Sequence, residues 1–153
     1  MARLSENSVS EPEKPTWWSS DHWSTPPDFV CLLEQQFGKF DLDPCCRAET
    51  AKATRFFTEE NDGLSHPWRG RVFLNPPYSK PAPWLAKAYQ EVQSRNAEIV
   101  VALLPVRTDT KWFHQLVLGR AQIQFVRGRI KWFGWQGTPI PNPKDPSMLA
   151  IYR

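Results

Sequence analysis

Arg71-Val72-Phe73-Leu74-Asn75-Pro76-Pro77-Tyr78 is the stretch whose reading decides the fold. Its first half is a short apolar run. Its two prolines fix φ and remove backbone donors, so a central strand cannot continue through them. The stretch therefore predicts a strand that stops after Leu74 and presents Asn75 at its carboxyl end, where open α/β sheets hold ligands. Two prolines after a strand are also compatible with a stiff turn and nothing more.

The flanking sequence alternates in the way such a sheet needs. Downstream, residues 83–95 read as a helix with Trp84, Ala88 and Val92 on its inner face. The nearly continuous apolar run 99–104 then reads as a strand covered on both sides. Residues 111–118 read as a further helix stopped by Gly119. The remainder alternates, with Ile123 and Phe125 against Gln122 and Gln124, then Gly128, Ile130 and Trp132, and finally the strand 148–152. The Pro-rich stretch 137–146 becomes a long connection within a last antiparallel hairpin.

Upstream, residues 39–43 form a short strand ended by Pro44, followed by a polar stretch, 47–53, able to form a short helix. Before them, residues 26–37 place Phe29, Leu32, Leu33 and Phe37 on one helical face, with proline in the first turn and Gly38 as the stop. Residues 1–15 are rich in Ser, Glu, Pro and Lys with no apolar period and read as a flexible leader, with order beginning near Trp17. The expectation is a single α/β domain over residues 16–153, a mixed sheet flanked by helices in three layers, with an antiparallel C-terminal hairpin. No internal repeat is present.

Composition bounds the function. Leu, Ile, Val and Phe make up only 35 of 153 residues, and eight Trp compensate with large buried area and with flat faces on which a base or an adenosyl group can stack. The net charge of +3 is mildly favourable to a polyanionic partner and does not identify one. Positive residues gather at Arg107, Lys111, Arg120, Arg127, Arg129 and Lys131, interleaved with Trp112, Phe113, Phe125, Trp132, Phe133 and Trp135. That pattern suits a solvated strand face or a DNA-facing surface. Three cysteines, two of them adjacent at Cys45 and Cys46, give neither an even disulfide framework nor Cys-x-x-Cys spacing, and fit a reducing, cytoplasmic compartment. His22, His66 and His114 lack metal-ligand spacing, so no metal is expected. The longest apolar run is too short to span a bilayer, and no membrane association is expected.

The residues at the strand end suit one kind of chemistry. An exocyclic aromatic amine is a poor nucleophile because its lone pair is delocalised into the ring, and in a duplex it is also paired and stacked. An enzyme acting on it must extrude the base and localise that lone pair. The Asn75 side-chain oxygen and the Pro76 carbonyl are two acceptors that can be aimed at the two amino hydrogens. The prolines hold both in place, Tyr78 offers a flat face to the base, and no general base is needed because the proton can leave after transfer. Asn75, Pro76, Pro77 and Tyr78 are the candidate catalytic residues. Tyr78, Ser79, Lys80 and Arg107 are the candidate substrate contacts, Lys80 and Arg107 lying just beyond strand ends where phosphate would approach.

Several spaced motifs resemble the phage and prophage family of Dam-like DNA N6-adenine methyltransferases. They are Trp23-Ser24-Thr25-Pro26, Phe37-Gly38-Lys39-Phe40-Asp41-Leu42-Asp43-Pro44-Cys45, Arg55-Phe56-Phe57-Thr58, Asp62-Gly63-Leu64 and Trp68. The series continues with the strand 72–74 and Asn75-Pro76-Pro77-Tyr78-Ser79, then Trp112-Phe113-His114 and Gly128-Arg129-Ile130. The resemblance implies a compact Rossmann-like domain that uses S-adenosylmethionine to methylate N6 of a flipped-out adenine in DNA. It also implies a phage or prophage enzyme acting in the bacterial cytoplasm. By the same resemblance Trp23, Thr25 and Pro26 touch the methionine part of the cofactor, Asp43, Pro44 and Cys45 form the strand end that opens the cofactor loop, and Asp62 meets the adenosyl group. Asp43 and Asp62 also have an ordinary reading as turn or helix-cap residues.

The sequence departs from the general pattern where Cys46-Arg47-Ala48 stands in place of a Gly-x-Gly, and the short spacing from Cys45 to Pro76 calls for an abbreviated excursion. No separate target-recognition domain is visible, and the oligomeric state is not legible. Other acceptors pose the same lone-pair problem, so RNA adenine and protein glutamine are alternative substrates. An inactive nucleic-acid-binding module with the same fold is a third reading.

Overall fold

The structure is a computed structural model that describes residues 19–134 and 136–153, so the leader expected over residues 1–15 and the onset of order near Trp17 lie outside the described residues. The elements are β1 (Trp23–Ser24), α1 (Pro27–Phe37), β2 (Leu42–Asp43), β3 (Arg55–Phe56), β4 (Gly70–Leu74), α2 (Ala82–Gln93), β5 (Ala97–Pro105), β6 (Gln122–Phe125), β7 (Phe133–Gly134) and β8 (Ser147–Tyr152). Six strands form one sheet in the order β3-β2-β4-β5-β8-β6, and β1 pairs with β7 in a separate antiparallel ladder. The first four strands of that order are parallel, while β8 runs antiparallel between β5 and β6. The result is a mixed, Rossmann-like α/β sheet with its reversed strand near one edge.

β5 explains the continuous apolar run. All its residues except Glu98 are buried, because both faces of the sheet are covered. Val100, Ala102 and Leu104 join Val72, Leu74, Met148 and Ala150 in a cluster that includes Leu85 and Ala88 of α2. Their neighbours Ile99, Val101 and Leu103 join Phe73, Leu149 and Ile151 in a second cluster with Val30 and Leu33 of α1. Period-two alternation thus sends each half of one strand into a different core, giving the three layers expected.

α1 has proline in its first turn and ends at Gly38, whose φ of 87° is the left-handed region glycine adopts without penalty. Its buried residues are Val30 and Leu33, with Phe29 and Phe37 packed beside them. Leu32, expected on that face, is 60% exposed. At 100° per residue Val30 and Phe37 shift the centre of the stripe away from it. α2 buries Leu85, Ala88 and Glu91, with Trp84 and Val92 half-buried against the core. Glu91 is tolerated there because its carboxylate accepts from Trp68 N (3.1 Å), Asn96 Nδ2 (3.0 Å) and Lys87 Nζ (2.8 Å). Those bonds fix fully buried Trp68, whose Nε1 donates to the Gly63 carbonyl at 2.8 Å.

Several elements differ from their sequence reading. The strand expected over 39–43 is ladder only at Leu42–Asp43, because Asp41 turns its carboxylate back to accept from Arg71 N at 2.8 Å. The helix expected over 47–53 is one 3-10 turn, Ala48–Thr50. The helix expected over 111–118 opens into a π-helical turn at Phe113–Val117. Phe125, expected inside, is 66% exposed. It ends an edge strand with a neighbour on one side only, whereas Ile123 still reaches the core. Residues 128–132 form no strand, yet Ile130 and Trp132 are buried against the second cluster while Arg129 and Lys131 remain exposed.

Candidate active site

β2 and β4 are parallel neighbours in register at Leu42 and Val72, so Asp43 and Asn75 emerge at the same rim of the sheet. The β1 segment lies across that rim. Asn75 donates its side-chain amide to the Trp23 carbonyl (3.4 Å) and to Thr25 Oγ1 (3.3 Å). Two acceptors for two amide hydrogens set the orientation of the amide and leave Oδ1 as an uncommitted acceptor. Thr25 is buried, which keeps this orienting contact away from solvent competition.

The loop after Asn75 is pinned at several points. Pro76 is buried and Pro77 half-buried. Ser79 donates its backbone N–H to Asp21 Oδ1 at 2.9 Å and its hydroxyl to Asp21 Oδ2. Arg107 Nη1 donates to the Tyr78 carbonyl at 3.3 Å, and its Nη2 pairs with Asp145 at 2.7 Å. Tyr78 is 6% exposed, and its ring meets Trp132 edge to face at 6.1 Å. Lys80 is exposed just beyond the loop.

Two cavities flank the loop. The first, of about 650 Å3, is lined by Asn75, Pro77, Trp23, Thr25, Asp43, Pro44, Cys45 and Asp62, and so brings together most of the residues that the sequence suggested for cofactor and catalysis. Pro26 precedes α1 and lies outside the lining. Asp21, Lys52, Phe73 and Trp84 also face this cavity and were not singled out by sequence. No pattern distinguishes Asp21 from an ordinary surface carboxylate. The second cavity, of about 490 Å3, lies on the other side of the loop and is lined by Tyr78, Trp132, Arg107, Asn142, Lys144 and Ser147 among others. Trp23 lines both and forms part of the wall between them.

The electrostatics centre on Asp43. Burial pushes its carboxyl up to about 6, against the stabilising pull of N–H bonds from Lys52 (2.9 Å) and Cys45 (3.4 Å), a Cys46 thiol bond and the nearby Lys52 charge. The Cys45 and Cys46 thiols are pushed up by burial and by Asp43, so both stay protonated and are poor nucleophiles. Lys52 is lowered by burial, and its Nζ donates to Ser24 Oγ at 3.3 Å. Asp62 caps a 3-10 turn by accepting from Leu64 N at 3.2 Å, so its cap role and its place in the cavity lining coexist.

No Gly-x-Gly follows Cys45, and a glycine from elsewhere in the chain packs on this strand end. A Cβ on Gly63 would lie 1.9 Å from the Pro44 carbonyl oxygen, so the chain after Asp62 packs directly on the strand end that carries Asp43. The cavity suits S-adenosylmethionine: it has the volume of a cofactor site, aromatic side chains from Trp23, Phe73 and Trp84, and carboxylates from Asp21, Asp43, Glu59 and Asp62 for ammonium and hydroxyl donors. Among the described residues no group of three or more His, Cys, Asp or Glu side chains converges as metal ligands, and no helix is long and apolar enough to cross a membrane.

Comparison with known proteins gives the following. The model of the family described as DNA N-6-adenine-methyltransferase (Dam) matches residues 14–153. A DNA N-6-adenine-methyltransferase of Haemophilus phage HP1 is 35% identical over 136 residues, which are 86% of this chain and 78% of the relative. One of Escherichia phage T1 is 33% identical over 112 residues, 72% of this chain and 46% of the relative. A solved Pyrococcus horikoshii chain, provisionally described as an RNA methyltransferase, is 14% identical with a TM-score of 0.49, covering 92% of this chain and 88% of its own.

Proposed function

The chain belongs to the DNA N-6-adenine-methyltransferase (Dam) family, and from that premise we propose that Asn75 and Pro76 hold the N6 amine of an adenine flipped out of DNA while it receives a methyl group. The activity is DNA adenine methylation, with S-adenosylmethionine, the methyl source that the family implies, in the first cavity. The observation that carries the residue assignment is the position of the loop: it stands between two cavities, with Asn75 facing one, Tyr78 facing the other, and Trp23 shared.

S-adenosylmethionine supplies a methyl group on a positively charged sulfur. The protein's part is alignment and exclusion of water. Asn75 Oδ1 and the Pro76 carbonyl accept the two amine hydrogens, which pulls the nitrogen toward tetrahedral geometry and turns its lone pair toward the methyl donor. Trp23 O and Thr25 Oγ1 keep the amide from rotating its N–H group into that place. The base lies in the second cavity, against the wall that Tyr78 and Trp132 form together, with Arg107 at its side. Trp23, Thr25, Asp43, Pro44, Cys45 and Asp62 hold the cofactor, and the Asp43 carboxylate is the natural acceptor for its cationic or hydroxyl donors. DNA backbone contacts fall to the exposed cations Lys80, Arg127, Arg129, Lys131 and Lys144. A DNA substrate and phage relatives support action in the bacterial cytoplasm.

The test is incubation with labelled S-adenosylmethionine and unmethylated DNA followed by nucleoside analysis. N6-methyldeoxyadenosine is the expected product. Label in RNA or in glutamine, with none in DNA, would overturn the substrate assignment, and cofactor binding without any turnover would mark an inactive module.

A further inference from the structure

Two buried side-chain donors, on residues that both line the second cavity, have no hydrogen-bond partner among the described residues: the indole Nε1 of Trp23 and the hydroxyl of Tyr78. Among the described residues these are the two fully buried side-chain nitrogen or oxygen atoms left without one. Leaving a buried donor unpaired costs about 1 to 3 kcal/mol, so native proteins keep few of them and those few call for an explanation. Here both belong to residues lining one cavity of about 490 Å3. Neither ring is free to swing away. Trp23 and Tyr78 both pack on Trp132 with centroids 6.1 Å apart. Their backbone carbonyls are also occupied, Trp23 O by Asn75 Nδ2 and Tyr78 O by Arg107 Nη1. The donors are therefore held in place before any ligand arrives.

We propose that Trp23 Nε1–H and the Tyr78 hydroxyl are recognition donors that read the ring nitrogens on either side of the amine being methylated, and that they select adenine. The inference rests on the proposed function and adds the means of base selection. An indole N–H can only donate, and a phenol can donate, so the pair demands lone-pair acceptors on its ligand. Adenine carries its amine between two such acceptors, N1 and N7. Cytosine offers one ring acceptor beside its amine and a carbon on the other side. Guanine has an oxygen in place of the amine and a hydrogen on N1. Of the four DNA bases, adenine alone offers a primary amine flanked by two acceptors. The same two residues stand next to the amide that grips the amine, so recognition and alignment share one rigid wall.

The experiment uses the intact protein and oligonucleotides in which the target adenine is replaced by 1-deazaadenine or 7-deazaadenine, each lacking one acceptor. Trp23→Phe and Tyr78→Phe keep the rings and remove the donors. Wild-type kcat/KM is expected to fall about tenfold or more on each analogue. Each variant is expected to lose about tenfold on adenine and to become indifferent to one of the two analogues, and for Tyr78→Phe, whose side chain lies outside the cofactor cavity, cofactor affinity by calorimetry is expected to stay unchanged. Wild-type enzyme that methylates adenine but treats both analogues as equal to it would overturn the inference without any variant. So would variants that keep the full wild-type preference for adenine over both analogues. Absence of N6-methyldeoxyadenosine from wild-type enzyme on every DNA is a different result, and it would overturn the proposed function itself.

Discussion

Asn75 spends both hydrogens of its side-chain amide on the β1 segment, so what it offers a substrate is an oxygen. Asn75→Ala removes that acceptor without touching the core. Transfer is expected to fall by about a hundredfold to a thousandfold, the usual loss for a preorganised polar group, while melting temperature and cofactor affinity stay near wild type. Methyl incorporation and a thermal melt on the same preparation check this. Asp43 makes a prediction in pH. Its carboxyl titrates at about 6 in the folded chain against an ordinary value of 3.8, because burial favours the neutral form. Between those values the folded state holds a proton that the unfolded chain has released, so the stabilisation present below about 4 is lost as pH rises through 6, by about 3 kcal/mol at most. Urea denaturation across that window should show the slope in the wild type and not in Asp43→Asn. If the carboxylate receives the cofactor's donors, cofactor affinity should rise over the same window, again only in the wild type. Gly63→Ala belongs here too. A methyl group against the Pro44 carbonyl must displace the strand end, so cofactor affinity by calorimetry should fall about tenfold or more.

At the scale of elements, the site depends on short pieces clamped by tertiary contacts. Asp21 sits in a 3-10 turn before β1 and takes both Ser79 donors. Asp21→Ala should therefore loosen the loop and lower kcat about tenfold, with partial recovery in Asp21→Asn, which retains one acceptor. Steady-state kinetics on DNA at saturating cofactor measures it, and unchanged kcat would remove Asp21 from loop positioning. The same dependence decides what could be read in advance. β4, β5 and the two long helices announce themselves through apolar runs, helical spacing, proline at the start and glycine at the stop. The end of β4 at Asn75 was legible because two prolines forbid anything else. β1, β3 and β7 were not, since two residues carry no period and their pairing comes from partners distant in the chain. The second cavity was hidden for a related reason: its walls come from residues 20–23, 105–107, 132 and 140–147, which no local pattern joins. Tyr78 was read as a flat surface, yet its ring lies against Trp132 and its hydroxyl is the uncommitted part.

At the scale of the whole molecule, the proposed DNA contacts fall on the exposed surface of this domain. Arg127, Arg129 and Lys131 are exposed on the segment that Ile130 and Trp132 anchor beside the second cavity. Replacing all three with alanine should weaken binding to every DNA sequence alike and reduce the dependence of log affinity on log salt by about three, one unit for each lost phosphate contact. Fluorescence anisotropy over a salt series tests it, and an unchanged slope would move the backbone contacts elsewhere.

The order of the sheet carries a further consequence, for how the chain is made. Among the described residues β6 pairs with β8 as its one strand neighbour, and β8 separates it from β5. On the ribosome, β6 therefore emerges with no strand to join, and the edge of β5 stays open until the segment Ser147–Tyr152 has been synthesised and slotted between them. Insertion of a fully buried interior strand between two waiting neighbours is a late, non-local event. Nascent chains stalled before residue 147 should thus be recognised by chaperones as sticky, incomplete sheets, whatever the state of the loop over residues 75–80 already folded behind them.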